Sequence, residues 1–302
     1  MASSLHYCSL FSFMILLSLS LNAALLPSLA ALTYHGGPLL TGNVNLLVIW
    51  YGQFGKVQKN AIRAFIKSLN YDGGLNLQPQ VSFWWDMVES YQLAAGKKGG
   101  SIAVKVVKTV VDANCSASKN LTADNVSSIF KKAVGKDIDV VPVLFSARDV
   151  AVQGLCMEKC SEHGLYGGKQ PTIVVGNPES ECPGECAWPF HKTNHGPQGM
   201  TLQPPSGNVG ADAMVVAFAS SLVDLVTNPF STGFYQGQQA NPIEASSACK
   251  RIFGSGAFEG YTGKLRVDPS NGGAFNTHGV EGRKFLLPAI WNPKTSSCWT
   301  LL

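Results

Sequence analysis

Two short segments of the chain hold residues that could bind a metal or form disulfides. In each segment two cysteines stand four positions apart with histidines close behind: Cys156, Cys160 and His163 in the first, and Cys182, Cys186, His191 and His195 in the second. Thiolates and imidazoles at such a spacing can form a zinc site. In an oxidising compartment the same cysteines form disulfides. The compartment therefore decides how the two segments are interpreted.

The N-terminus predicts a secreted protein. Residues 11–26 are almost wholly apolar, and Ser28 and Ala30 supply the small residues that precede a signal-peptidase site. This pattern predicts a secretory signal peptide over 1–30 and a mature domain over 31–302. An uncleaved membrane anchor is the alternative, but the apolar run is short for a bilayer span and is interrupted by Asn22. We therefore expect an extracellular protein without stable membrane insertion.

Three N-glycosylation sequons lie close together in the first half of the chain. They are Asn114-Cys-Ser, Asn120-Leu-Thr and Asn125-Val-Ser. Such a sequon is an acceptor only in a protein that enters the secretory pathway and exposes the asparagine. The cluster therefore supports secretion and predicts a glycoprotein.

The cysteines of the mature chain predict three disulfides and one free thiol. The candidates for pairing are Cys156, Cys160, Cys182, Cys186, Cys249 and Cys298. Bonds within each four-residue pair and bonds between the two pairs both fit the spacing, and Cys249–Cys298 is the natural third pair. Cys115, which lies inside a sequon, is predicted to be free. A structural zinc site at the four paired cysteines remains the alternative.

Other residues that could do chemistry give no catalytic pattern. The sequence has no nucleophile elbow, no HExxH and no phosphate-binding or dinucleotide-binding loop. Asp212, Asp224 and Glu244 could supply a carboxylate pair for glycoside hydrolysis, but their spacing does not select that role. The aromatic residues that could stack on sugars, or fill the core, are Trp50, Tyr51, Trp84, Trp85 and Trp188. We predict no catalytic, cofactor-binding or metal-binding residue.

The composition excludes one class of partner. Only 14% of the residues are charged and the net charge is +4, whereas a nucleic-acid-binding domain carries a dense basic stripe. Hydrophobic residues make up 45% of the chain, which is enough to build a full core. The sequence therefore predicts a globular protein that does not bind nucleic acid.

Alternating strands and helices predict the fold class. The apolar patterns predict strands over 43–51, 101–111, 137–147 and 171–178, and helices over 56–70, 81–92, 121–135 and 211–226. The last helix is apolar on nearly every side, which predicts a buried central position. The expected architecture is α/β (mixed α+β): a single domain with a central mixed sheet, a buried central helix and disulfide-stapled loops.

Several long motifs resemble one plant family. LTYHGGPLLTGNVNLLVIWYGQF, CPGECAWPFH, GNVGADAM, TNPF, GFYQG, SACKRIFGSGAFEGYTGKLRVDP and GRKFLLPAIWNP occur in the order typical of the EXORDIUM family, also called phosphate-induced protein 1. The resemblance covers about residues 32–300. It implies a secreted apoplastic or cell-wall protein, related to brassinosteroid-dependent growth and cell expansion, with no established catalysis.

The resemblance also bears on the central helix. In some relatives the segment before TNP resembles a metallopeptidase helix, with His-Glu followed by a second Glu; the matching positions here are Ser220, Ser221 and Asp224. A His-Glu pair supplies a metal ligand and a general base, and serines supply neither well. The departure argues against a zinc hydrolase, while a zincin-like fold, with a mixed sheet above the helix, stays open.

The sequence therefore predicts a growth-related extracellular protein that acts by binding. The expected partner is a cell-wall polysaccharide or an extracellular protein. A hydrolase of wall glycans or peptides is the second hypothesis, and a covalently linked structural wall protein is the third. The third hypothesis is disfavoured because low-complexity repeats are missing.

Overall fold

The computed structural model describes residues 31–71, 77–136, 139–156, 159–194, 197 and 199–302. The predicted signal peptide over 1–30 lies outside this part of the chain. The strands of the described residues are β1 Thr33–Tyr34, β2 Gly42–Tyr51, β3 Ile102–Asp112, β4 Asn120–Leu121, β5 Val141–Ser146, β6 Ala151–Val152, β7 Ser161–Tyr166, β8 Gln170–Val175, β9 Phe234–Gln238, β10 Asn241–Ile243, β11 Arg266–Val267, β12 Ala274–Phe275, β13 Thr277–His278, β14 Lys284–Phe285, β15 Ile290–Asn292 and β16 Ser297–Trp299. The helices are α1 Lys56–Leu69, α2 Val81–Glu89, α3 Tyr91–Ala94, α4 Ala123–Val134, α5 Pro183–Cys186 and α6 Val209–Thr227.

The largest sheet has five strands in the order β3-β2-β5-β8-β7. Strands β3, β2, β5 and β8 are parallel to their neighbours, and the edge strand β7 is antiparallel to β8. Parallel strands need crossover connections, which helices provide between β2 and β3 and between β3 and β5, whereas β5 and β8 are joined through β6 and β7. The sheet is therefore mixed, with β3 at one edge and β7 at the other.

Helices cover both faces of this sheet. Leu46, Val48 and Trp50 of β2 belong to a core cluster that includes residues of α1, α2 and α6. The alternate residues Leu47 and Ile49 belong to a second cluster, which includes residues of α4. Because successive side chains of a strand point to opposite faces, burial of both sets explains the unbroken apolar run of β2.

Helix α6 lies buried against the sheet. Its first turn is capped by Asn208, whose side-chain oxygen accepts a hydrogen bond from the Ala211 amide at 2.8 Å. Phe218, fully buried, packs edge-on against Phe65 and Phe145. In the described part of the chain α6 is the one helix long and apolar enough to cross a membrane, and its burial inside the protein is typical of a core helix.

The predicted fold class is confirmed. Residues Leu32–Leu302 form one compact unit, with a central mixed sheet and a buried central helix. The region after α6, where no strand was predicted, contains short two-stranded and three-stranded sheets. Among the strands of the main sheet, β7 at its edge was the one missed.

Candidate functional site

A cavity of about 380 Å³ opens beside the edge strand β7. Its floor is formed by Ser161 and His163 of β7 together with one face of α6. Its walls come from the segment around α5 and from the loop that follows β10. The cavity therefore lies where the sheet edge, the central helix and two loops meet.

Two disulfides hold one wall of the cavity in place. Cys156 bonds to Cys182 and Cys160 bonds to Cys186, with Cα–Cα distances of 5.4 and 5.3 Å. Of the two arrangements that the spacing allows, the structure has bonds between the four-residue pairs. Cys160 stands directly before β7, so its bond ties α5 to that edge strand. Because all four cysteines form disulfides, none of them is left as a thiolate that could bind zinc.

A third disulfide lies on the opposite wall. Cys249 bonds to Cys298, 49 residues away, with a Cα–Cα distance of 5.6 Å. Cys249 itself lines the cavity. The bond connects this wall to β16 near the end of the chain.

The floor of the cavity contains a buried histidine–carboxylate pair. His163 Nε2 lies 2.9 Å from both carboxylate oxygens of Glu244. Asn228 Nδ2 donates a further hydrogen bond to Glu244 Oε1 at 2.6 Å. Burial alone would lower the pKa of His163, but the hydrogen bond and charge of Glu244 outweigh burial, and the net shift of the pKa is upward. The carboxylate partner therefore favours the charged form of the imidazole.

Asp224 lies beside this pair and is buried, with 7% of its surface exposed. Its Oδ1 accepts a hydrogen bond from the Ser246 amide at 2.8 Å, and its Oδ2 accepts one from the Ser246 hydroxyl at 2.5 Å. Burial and the nearby charge of Glu244 raise the pKa of Asp224 to about 7, although His163 and Ser246 oppose the shift. Near neutral pH this carboxyl group can therefore be either protonated or ionised.

Serines occupy the part of α6 that faces the cavity. Ser161 Oγ donates to the Ala217 carbonyl at 2.7 Å and lies 2.7 Å from Ser221 Oγ. Because the single Ser161 hydrogen is used on the carbonyl, Ser221 is the donor in the second contact. Ser220 is half-buried and lines the cavity. Neither bonded hydroxyl contacts a base, so the pair joins β7 to α6 and is not an activated nucleophile.

Charged groups at the rim are paired with each other. Glu185 lies 2.9 Å from Lys250 Nζ and 2.6 Å from Arg251 Nη2. Partial burial raises the pKa of Glu185, but the two cations outweigh it and hold the pKa below its usual value. The Arg251 guanidinium lies 5.2 Å from the ring centre of Trp188, which forms part of the wall. The CPGECAWPFH segment thus supplies both a disulfide-held turn and a charged, aromatic wall.

Other candidate residues lie away from the cavity. His191 is exposed and its ring contacts only the Lys192 carbonyl among the described residues, and His195 lies outside them. Asp212 lines a second, smaller cavity of about 170 Å³, where Ser206 donates two hydrogen bonds to it. Burial raises the pKa of Asp212 to about 6, against the effect of these bonds. The aromatic residues buried in the core are Trp50, Tyr51, Trp84 and Trp85.

The sequons and the remaining cysteine lie near the carboxyl end of β3. Asn114 and Asn120 are exposed and Asn125 is half-buried. The Asn125 side chain accepts a hydrogen bond from the Thr122 amide at 3.1 Å, completing a capping box at the start of α4. Cys115 is the free cysteine of the described residues, and burial raises the pKa of its thiol.

No metal site is built into the described part of the chain. No group of three or more histidine, cysteine, aspartate or glutamate side chains converges there in a way that could hold an ion. His163 and Glu244, the nearest approach to such a group, are bonded to each other. The arrangement can bind a polar ligand, and its titratable groups are positioned to change charge around neutral pH.

These features define a disulfide-stapled mixed α+β domain with a polar cavity at one sheet edge. The sequence profile of the phosphate-induced protein 1 conserved region matches residues 32–301. The chain therefore belongs to the phosphate-induced protein 1, or EXORDIUM, family, and the predicted resemblance is confirmed.

Three relatives show how far the similarity extends. Protein EXORDIUM-like 6 of Arabidopsis thaliana is 44% identical, over 86% of this chain and 89% of the relative. Protein EXORDIUM of the same plant is 41% identical, over 97% and 98%. Protein PHOSPHATE-INDUCED 1 of Nicotiana tabacum is 41% identical, over 91% and 90%. None of these names states a catalytic activity.

No solved structure matches the chain. A zincin-like relationship of the fold therefore stays a prediction. What the sequence missed is the cluster itself: Asp224 and Glu244 were noted as a possible carboxylate pair, but His163 was not connected with them, because no local pattern links residues so far apart in the chain.

Proposed function

We propose that the protein is secreted to the apoplast and cell wall, where it acts in brassinosteroid-related growth and cell expansion by binding a wall component. The apolar N-terminus with its small-residue cleavage site and the three sequons support secretion. Family membership supports the growth role. The ligand binds in the cavity beside β7, and the protein does not transform it.

One observation carries the choice of binding over catalysis: both carboxylates of the cavity are already hydrogen-bonded inside the protein. Both oxygens of Asp224 accept hydrogen bonds from Ser246, and both oxygens of Glu244 contact His163. A general base needs a lone pair directed at the proton that it removes. Carboxylates whose two oxygens are both held by protein donors are better suited to fixing the walls of a rigid binding site.

A hydrolase is the second candidate, and one feature of the cavity favours it. Asp224, whose pKa is raised to about 7, lies close enough to Glu244 to feel its charge. Two carboxyl groups with separated pKa values are the usual acid and base of glycoside hydrolysis. The two functions differ in whether the bound material is cleaved.

Isolated plant cell walls can distinguish the two functions. The secreted protein, the Glu244→Gln variant and an Asp124→Asn control in the exposed first turn of α4 are incubated with washed walls. Sedimented protein and released sugars and peptides are then measured. We expect the wild type and the control to sediment with the walls and to release nothing above the buffer level.

Release of fragments by the wild type and by Asp124→Asn, but not by Glu244→Gln, would overturn binding without catalysis. Secretion is tested separately with a C-terminal fluorescent fusion, with and without residues 1–30. We expect the full-length fusion to remain outside the plasma membrane after plasmolysis and the truncated fusion to stay inside the cell. Retention of the full-length fusion inside the cell would contradict the extracellular assignment.

A further inference from the structure

The charges around the cavity are paired with each other. Glu185 at the rim is shared by Lys250 and Arg251, and Glu244 on the floor is bound by His163. Two further lining residues of opposite sign, Lys159 and Glu162, are exposed to solvent at the edge. An ionic ligand seated inside the cavity, beyond these two edge residues, would have to break one of the inner pairs and leave a partly buried charge without its partner.

Uncharged polar groups remain available around these pairs. The side chains of Ser220 and Asn241 line the cavity, and neither is hydrogen-bonded to protein within the described residues. The site therefore offers donors and acceptors at fixed positions.

The opposite part of the lining is apolar. Trp188 and Phe253 pack with their ring centres 5.8 Å apart, and Pro242 and Pro288 complete this side. A cavity that joins an apolar wall to a few fixed polar groups suits a ligand with one hydrophobic face and several hydroxyl groups. The rings of a sugar have both, because their C–H groups project on one face and their hydroxyls around the edge.

Building on the proposed function, we infer that the cavity beside β7 binds a short stretch of a neutral wall glycan. The C–H faces of the sugar lie against the wall formed by Trp188. Ser220 and Asn241 exchange hydrogen bonds with the sugar hydroxyls. The volume of about 380 Å³ is at the small end of ligand pockets. The cavity therefore has room for a short stretch of a single glycan chain and not for a folded polymer.

The first sequon lies far from this site. The cavity is built on β7, and Asn114 follows β3, the strand at the opposite edge of the five-stranded sheet. Neighbouring strands are about 4.8 Å apart, so four strand spacings separate the two edges by roughly 19 Å. A glycan on Asn114 therefore extends from the edge that the cavity does not use.

The inference is tested by calorimetric titration of the secreted protein at pH 5.5. The probes are cellotriose, xylotriose and β-1,4-galactotriose as neutral glycans, trigalacturonate as an acidic glycan, and acetyl-trialanine amide as a peptide. Two variants fill the cavity from different walls, Ser220→Phe and Asn241→Phe. The matched control is Ser128→Phe, on the exposed side of α4. Circular dichroism and thermal unfolding verify that each variant is folded.

We expect at least one neutral trisaccharide to bind, with both cavity variants weakening it about tenfold or more and Ser128→Phe leaving it unchanged. Equal binding by all three variants would remove the cavity from the site, and tighter binding of trigalacturonate or the peptide would refute the neutral-glycan assignment. If no probe binds but washed walls still capture the protein, the present inference fails while the proposed function stands. If the walls also fail to capture it, binding to the wall fails as well.

Discussion

Asp224→Asn isolates the most strongly perturbed carboxyl group of the cavity. Asparagine has the same shape, and it can still accept from the Ser246 amide through its oxygen and donate to the Ser246 hydroxyl through its nitrogen. The titratable groups that affect Asp224 are Glu244 and His163, and both remain in the variant. The difference between the two proteins therefore reports mainly the titration of Asp224.

The magnitude follows from the shift of the pKa. Asp224 titrates near 3.8 when unperturbed and at about 7 in the folded protein. Between these values the folded state holds a proton that the unfolded state has lost, so the free energy of unfolding falls as pH rises, by about 1.4 kcal/mol per pH unit at most. Allowing for partial ionisation at the upper end, the wild type should lose about 2 kcal/mol between pH 5 and pH 7 through this group alone.

The assay is urea unfolding of the oxidised, mature protein, followed by tryptophan fluorescence at pH 5, 6 and 7. We expect the wild type to lose stability relative to Asp224→Asn as pH rises, by about 0.7 M in midpoint for a slope of about 3 kcal/mol/M. Asp124→Asn, at an exposed position, should follow the wild type. If the unfolding midpoints of the wild type and Asp224→Asn changed equally with pH, the reasoning would be refuted, because Asp224 would then have the same pKa in the folded and unfolded states.

Three further perturbations test other parts of the fold. Thr122→Ala should lower the free energy of unfolding by about 1 kcal/mol, because it removes the cap of α4, and it should also abolish glycosylation at Asn120. Thr122→Ser should preserve both the cap and the sequon. Urea unfolding measures the first effect and intact mass the second, and loss of no glycan mass would exclude Asn120 as an occupied sequon. Removing both Cys249 and Cys298 opens a 49-residue connection and should lower the free energy of unfolding by about 4 kcal/mol, measured by urea titration; a loss below about 1 kcal/mol would contradict the chain-entropy estimate. Phe218→Ala in the core of α6 should cost about 3–5 kcal/mol by the same measurement, and a near-zero change would mean that the helix is not the centre of the core.

Local pattern was sufficient to predict the elements of the core. The apolar run over 43–51 corresponds to β2, Gly42–Tyr51, and the apolar helix over 211–226 corresponds to α6, Val209–Thr227. Both are buried on nearly all sides, so their sequences carry an uninterrupted hydrophobic signal. The helix predicted over 121–135 was also found, and Thr122 caps it.

The edge strand β7 was not predicted because it lacks the uninterrupted hydrophobic signal of these buried elements. Its sequence, SEHGLY, is only partly buried, because an edge strand faces a neighbour on one side alone. With charged and glycine residues in place of a β-branched run, nothing local distinguishes it from a loop. Its position is instead set by pairing with β8 and by the Cys160–Cys186 bond, and neither is visible in a single segment.

The candidate site could not be predicted from local sequence either, because its residues come from distant parts of the chain. His163 and Glu244 are 81 residues apart, and they meet because β7 lies at the sheet edge while the loop after β10 folds over it. The disulfides contribute to this meeting: crossed pairing of the two four-residue units ties α5 to the segment before β7 and so closes the wall opposite Glu244. Had each unit been bonded within itself, α5 would have lost its covalent connection to the edge strand. The cysteine spacing that first suggested a metal site is therefore a structural device, and what it builds is a cavity whose chemistry comes from other residues.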